Sequence, residues 1–159
     1  MNITIISVGK LKEKYLKLAI EEYSKRLQRY CKLDIIELND EKTPDNASEK
    51  EEEQIKEKEG KAILKAIKDN SYVIALDLKG KMLSSEEFAS FIQDSTVRGI
   101  SSFTFVIGGS LGISREVLNR ADYKLCFSKM TFPHQLFRVM LLEQIYRGYR
   151  IINGEPYHK

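Results

Sequence analysis

The sequence predicts an α/β fold, a mostly parallel sheet with helices on both faces. Two observations predict it. Short β-branched runs alternate with helical apolar patterns along the whole chain. The 159 residues suffice for a single domain, here taken as residues 1–159, and 42% hydrophobic against 31% charged residues allows a real core.

The elements follow in order. Residues 3–8 (ITIISV) are a β-branched run ending at Gly9, hence a strand. Residues 11–30 carry Leu11, Tyr15, Leu18, Ala19, Tyr23, Leu27 and Tyr30 at helical spacing. Residues 33–38 (LDIIEL) form a second strand. Residues 41–48 are turn-rich. Ser48, with Glu51 three residues on, forms a capping box that opens a helix to about Ile67. The start of this helix is charged nearly all round and reads as solvated. Residues 72–78 (YVIALDL) are a third strand, closed by a turn at Lys79-Gly80-Lys81. Ser84 or Ser85 caps a helix to about Val97. Residues 103–107 are a fourth strand leading into Gly108-Gly109-Ser110-Leu111-Gly112. A short helix over 114–120 and a fifth strand over 123–127 follow. Pro133 stands at the first position of the last helix, which runs to about Tyr149.

Composition excludes several classes. Two distant cysteines, Cys31 and Cys126, make neither a disulfide framework nor a CxxC site. Two histidines and no paired cysteines predict no metal site. No apolar run approaches the roughly 18 residues of a membrane span, and the N-terminus lacks the pattern of a signal peptide. The cytoplasm is therefore the expected location. The net charge is +3, unevenly spread. Residues 1–30 hold seven Lys/Arg against three Asp/Glu, residues 39–59 four against nine, and residues 115–159 eight against four. Basic ends suit a polyanion; a mixed solvated surface is the plainer alternative.

Ligands of open α/β sheets bind beyond the carboxyl ends of the strands. Here those ends are the segments after Leu76, Ile107 and Cys126. The glycine run from Gly108 to Gly112 allows close backbone approach to a ligand, or is only a tight strand-to-helix turn. It is neither a Walker A loop nor a GxGxxG fingerprint. The loop from Phe127 to His134 mixes apolar, hydroxyl and basic groups of the kind that wrap an adenosine, or is simply a packed loop. His134 and Arg138, four apart near a helix N-terminus, suit an anion. Glu143 and Arg147 read as an ordinary surface ion pair. The tail, ending Tyr157-His158-Lys159, is either frayed or a stacking and titrating element.

These stretches carry a resemblance. IISVGKLKEKY (residues 5–15), LDLKGKMLSSEEFA (76–89), FVIGGSLGIS (105–114), FSKMTFPHQLFRVMLLEQIYR (127–147) and the terminal PYHK resemble the bacterial SPOUT-class 23S rRNA (pseudouridine-N3-)-methyltransferases over essentially the whole chain. The resemblance implies a deep C-terminal trefoil knot and a homodimer whose two subunits share the active site. It implies S-adenosylmethionine as cofactor, held by Leu76, Gly108 and the loop Phe127, Ser128, Lys129, Met130, Thr131 and Phe132. The implied substrate is a pseudouridine in 23S rRNA of the large subunit, within the assembled 70S ribosome. Removal of the N3 proton falls to His134 or His158, charge stabilisation or phosphate binding to Arg138, and stacking on the base to Tyr157. A nucleotide-binding Rossmann-like enzyme and a non-enzymatic ribosome-binding factor are the competing readings. The first is weakened by the lone Gly9 after the first strand, and only Glu37 near the end of the second favours it.

Overall fold

A computed structural model describes residues 1–159. The order is β1 (Asn2–Val8), α1 (Lys14–Leu27), β2 (Lys32–Leu38), α2 (Glu49–Ala66), β3 (Tyr72–Met82), α3 (Ser85–Val97), β4 (Ser102–Ile107), α4 (Arg115–Arg120), β5 (Tyr123–Cys126) and α5 (His134–Ile152). The strands form one sheet in the order β2-β1-β4-β3-β5, and every pairing is parallel. The helices lie on both faces, as the alternation predicts.

The central strands show why. Ile3 to Val8 of β1 and Phe103 to Ile107 of β4 are buried without a break. A strand buried on both faces needs cover on both, and parallel crossovers supply it. One face carries α1, α3 and α5 over a 14-residue core containing Ile3, Phe103, Phe105, Leu141 and Ile145. The other carries α2 and α4 over a core of only seven residues, including Ile6, Val106 and Val117. The smaller core reflects α2 itself, whose first two turns offer the sheet almost no hydrocarbon. α5 packs against both α1 and α3. Both capping boxes form: Ser48 and Ser84 accept from the backbone N–H of Glu51 and Glu87, so Ser84 rather than Ser85 is the cap.

Several expectations are corrected. Lys79-Gly80-Lys81 is not a turn: β3 runs on to Met82, and a register shift pairs both Leu76 and Lys81 with Leu125. α1 begins at Lys14, and Tyr15 and Leu18 point outward, 67% and 54% exposed. Its inward stripe is Leu16, Ile20, Tyr23 and Leu27. Pro133 is the N-cap of α5, not its first residue, and α5 continues to Ile152. No helix is long and apolar enough to cross a membrane.

Candidate active site

The carboxyl ends of β3, β4 and β5 open into a cavity of about 300 Å³. Leu76, Asp77 and Leu78 line it from β3. Residues 107–113 line it from the β4–α4 connection, and residues 125–128 and 130–132 from β5 and the loop after it. His134 and Phe137 close it from the first turn of α5. Most of the wall is hydrocarbon and aromatic. Asp77 is the one acidic side chain in it, and no Lys or Arg lines it.

The glycine loop is shaped by backbone needs. A Cβ on Gly108 would fall 2.7 Å from Ile113 Cγ1 and 2.9 Å from the Gly112 carbonyl carbon, so the loop folds over itself only without a side chain there. Gly112 has φ +92° and donates its N–H to the Gly109 carbonyl at 3.0 Å, a conformation that favours glycine. Behind the loop sits Glu59 of α2, buried, with Oε2 accepting from the Glu41 N–H at 3.0 Å. Burial raises the Glu59 carboxyl above the ordinary range, and that hydrogen bond opposes the rise.

Of the residues expected around a cofactor, Leu76, Gly108, Phe127, Ser128, Met130, Thr131 and Phe132 line this cavity. Lys129 does not: it is exposed and is not among the lining residues. Phe127 and Phe132 both pack on Phe137, which props the loop against α5. Ser128 Oγ accepts from the Met130 N–H at 3.0 Å and tightens the loop from within.

His134 sits at the rim. Desolvation by the surrounding atoms, and then the Arg138 charge, lower its pKa below the usual imidazole value. Arg138 does not face the cavity. It is 3% exposed, donates from Nη1 to Glu37 at 2.8 Å and from Nη2 to the Gly9 carbonyl at 2.7 Å, and so fastens α5 to the ends of β1 and β2. The expectation that Arg138 grips an anion is thereby corrected. One turn of helix separates it from His134, but burial commits it to the sheet.

Tyr157 and His158 form a second cluster with residues that the sequence left as surface. Glu143 Oε1 accepts from Arg147 Nη2 at 2.6 Å and from the Tyr157 hydroxyl at 3.2 Å. Arg147 Nη1 donates to His158 Nδ1 at 3.0 Å, which leaves the ring proton on Nε2, 2.6 Å from Glu86 Oε1 of α3. The Arg147 guanidinium lies 4.7 Å from the centroid of the Tyr157 ring, and Tyr146 meets that ring edge-on. Upstream, Glu155 pairs with Arg150 and Arg29. The tail is thus pinned along α5, and Glu143–Arg147 is its anchor rather than an idle surface pair. Glu86, Glu143 and Arg147 have no sequence signal beyond the i,i+4 spacing of the last two.

The two regions are apart within one chain. Thirteen residues of α5, about 20 Å of helix, separate His134 from Arg147. A second depression of about 410 Å³ shares Leu125, Cys126, Phe127, Ser128 and Phe132 with the first and ends at Glu143 and Gln144. Leu78, Met82, Met130 and Leu136 are large apolar side chains exposed on the elements around this trough. No group of three or more His, Cys, Asp or Glu side chains is placed to hold a metal ion.

Comparison with known proteins gives the family. The chain is 79% identical over its full length to the ribosomal RNA large subunit methyltransferase H of Clostridium tetani (strain Massachusetts / E88), and covers all of that protein. It is 77% identical, again over the whole of both chains, to the protein of the same name from Clostridium beijerinckii (strain ATCC 51743 / NCIMB 8052). It is 76% identical over both full lengths to ribosomal RNA large subunit methyltransferase H 1 of Clostridium perfringens (strain SM101 / Type A). The family model described as "Predicted SPOUT methyltransferase" matches residues 1–158, and the chain belongs to the SPOUT methyltransferase family.

Proposed function

We propose that residues 1–159 form a single catalytic unit that transfers a methyl group from S-adenosylmethionine to N3 of a pseudouridine in 23S rRNA, acting in the cytoplasm on the large subunit of assembled ribosomes. The observation that carries the reading is the cavity at the carboxyl edge of the sheet. Its size and apolar wall suit an adenosine, while the lack of any Lys or Arg in it disfavours a polyphosphate nucleotide. Asp77 offers a carboxylate to ribose hydroxyls or to a cation.

The residues present fit the cofactor. Gly108 and its neighbours give backbone close approach, Phe127 and Phe132 give apolar contact, and Leu76 to Leu78 close the wall. When bound there, S-adenosylmethionine supplies an electrophilic methyl group. The protein must hold the acceptor nitrogen in line, at about 3–3.5 Å from that methyl group, and take its proton. His134 suits the proton transfer. It stands on the cavity rim, makes no side-chain hydrogen bond, and keeps an unprotonated nitrogen at neutral pH because its pKa is lowered. His158 is placed differently. Its acceptor nitrogen already receives the Arg147 N–H, so as held here it donates through Nε2. With Tyr157 and Arg147 it offers a ring to a base whose N3 loses a proton, and the Arg147 charge would stabilise the anion once the base displaces the carboxylates that now hold these groups.

Within one chain Arg147 stands about 20 Å along α5 from His134, the other candidate for the proton. A homodimer resolves the distance. If a second copy covers the trough flanked by Leu78, Met82, Met130 and Leu136, the tail of one subunit meets the cavity of the other. The deep C-terminal trefoil knot belongs to the same proposal: α5 returns from the edge strand β5 to lie against α1 and α3.

The test is methyl incorporation from labelled S-adenosylmethionine into 70S ribosomes, 50S subunits and free 23S rRNA from cells lacking the homologous gene. Mass spectrometry then identifies the nucleoside. N3-methylpseudouridine in 70S ribosomes is the expected result. Cofactor binding without label would move the acceptor elsewhere, and no cofactor binding would leave a ribosome-binding factor.

A further inference from the structure

We propose that the lysine-rich surface of residues 10–18 is the grip on the RNA phosphate backbone; the inference rests on the rRNA reading above and adds where the RNA is held. Within those nine residues stand Lys10, Lys12, Lys14 and Lys17 against the single acid Glu13. All four lysines are exposed, and none takes part in any of the ion pairs, whereas Arg26, Arg29, Arg138, Arg147 and Arg150 of the same face of the sheet are all paired. Between the lysines, Tyr15 and Leu18 turn outward, 67% and 54% exposed. A solvent-facing aromatic among unpaired cations is the surface chemistry of nucleic-acid binding: cations for phosphates, a ring for an unstacked base.

Its place in the fold is the second argument. Residues 9–13 leave the carboxyl end of β1, beside β4 and its glycine loop. The Lys12 N–H donates to Gln135 Oε1 at 3.1 Å, and Gln135 adjoins His134 on the cavity rim. The Leu11 N–H donates to Glu37 at 2.8 Å. Lys12 is therefore anchored next to the cavity mouth by its backbone, Lys10 stands two residues before it, and Lys14 and Lys17 continue the patch along α1. Downstream, Glu21 and Glu22 end the patch. A second copy is the other occupant to test: a two-fold axis through this patch would oppose four lysines to four, and the proposed dimer covers the trough beside β5 and α5 instead.

The experiment compares wild type with the Lys10→Glu/Lys12→Glu/Lys14→Glu/Lys17→Glu variant, with Tyr15→Ala alone, and with Lys61→Glu/Lys65→Glu/Lys68→Glu on and just after α2 as control. Methyl transfer to 70S ribosomes is measured from 50 to 200 mM salt. The quadruple variant should raise KM for ribosomes at least tenfold while S-adenosylmethionine affinity by calorimetry stays at the wild-type value. Its dependence of log KM on log salt should flatten by about 0.7–0.9 for each phosphate that is no longer neutralised. Tyr15→Ala should raise KM less, without changing the salt slope. The Lys→Arg quadruple should behave as wild type, and so should the α2 control. Wild-type KM and salt slope in the charge-reversed quadruple would overturn the proposal, as would its conversion from dimer to monomer in light scattering. If even wild type methylates no RNA, the methyltransferase reading has failed instead. Sedimentation of wild type and quadruple with ribosomes then decides the surface separately, since equal binding would overturn it.

Discussion

At the carboxyl edge of the sheet the cavity walls are backbone and hydrocarbon, with one acid among them. At the far end of α5 the tail's phenol and imidazole are held by carboxylates and a guanidinium group. The first region is shaped by topology: parallel strands must end together, and glycines let the next segment fold over their ends. The second is shaped by pairing: Glu86, Glu143, Tyr146 and Arg147 hold Tyr157 and His158, which no regular element continues. The difference suggests a division of labour. On the proposed function, the preformed apolar slot takes the methyl donor, which needs no further activation, and the terminus made rigid by charge-assisted bonds meets the acceptor.

The comparison can be broken most severely at the tail. Deleting residues 157–159 should reduce methyl transfer by about 10²–10⁴-fold, the range for removal of an acid–base or orienting group, with cofactor affinity unchanged by calorimetry. A parallel loss of cofactor binding would merge the two regions into one. Gly108→Val attacks the other side. Its side chain would meet Ile113 and the Gly112 backbone at under 3 Å, and overpacking of about 1–3 kcal/mol should weaken cofactor binding by about 5–150-fold. Retained affinity would remove the glycine loop from the cofactor site.

Arg138 sharpens the boundary between site and scaffold. Arg138→Ala leaves two carbonyl groups and Glu37 without their donor. It should cost about 3 kcal/mol, or a melting temperature lower by about 6–12 °C. An unaltered melting curve with abolished activity would return Arg138 to the reaction. A smaller effect concerns pH. The folded His134 has a pKa below its unfolded value near 6.5, so the unfolded chain binds the proton more readily and acid weakens the fold at this site. The neutral acceptor form persists as pH falls, and the acid limb of the kcat profile should lie below about 6.5. His134→Ala should abolish that limb; an unchanged limb would assign it elsewhere. Smallest of all, Lys129→Ala should leave cofactor affinity within about twofold, since the side chain is exposed and lines no part of the cavity.

Much of this is legible in the sequence, for identifiable reasons. The uninterrupted apolar runs of β1 and β4 and the serine caps of α2 and α3 are local signals, and they become the central strands and the helix starts. The rule that ligands sit at strand ends singles out the glycine run and the Phe127 loop, which together form most of the cavity wall. What fails is non-local. Lys79-Gly80-Lys81 looks like a turn, yet Gly80 is there because a Cβ would lie 2.7 Å from the Lys124 backbone across the sheet. Tyr15 and Leu18 join an apolar stripe by spacing alone, although the sheet meets the stripe of Leu16 and Leu27 instead. Glu143 and Arg147 sit at ordinary helical ion-pair spacing, and only the returning tail and Glu86 of α3 make them a cluster. Arg138 looks free because Gly9 and Glu37, its partners, lie more than a hundred residues away.

The central claim is that the cavity of one subunit works with the tail of the other. Mixed dimers of Gly108→Val with the 157–159 deletion test it directly at S-adenosylmethionine concentrations too low to fill the Gly108→Val cavity, where each variant alone is strongly impaired. A mixed dimer holds one intact cavity facing one intact tail. Random pairing makes half the dimers mixed with one working site each, so the mixture should recover about a quarter of wild-type methyl transfer. A mixture as inactive as its two components, with mixed dimers shown by native mass spectrometry, would contradict the account.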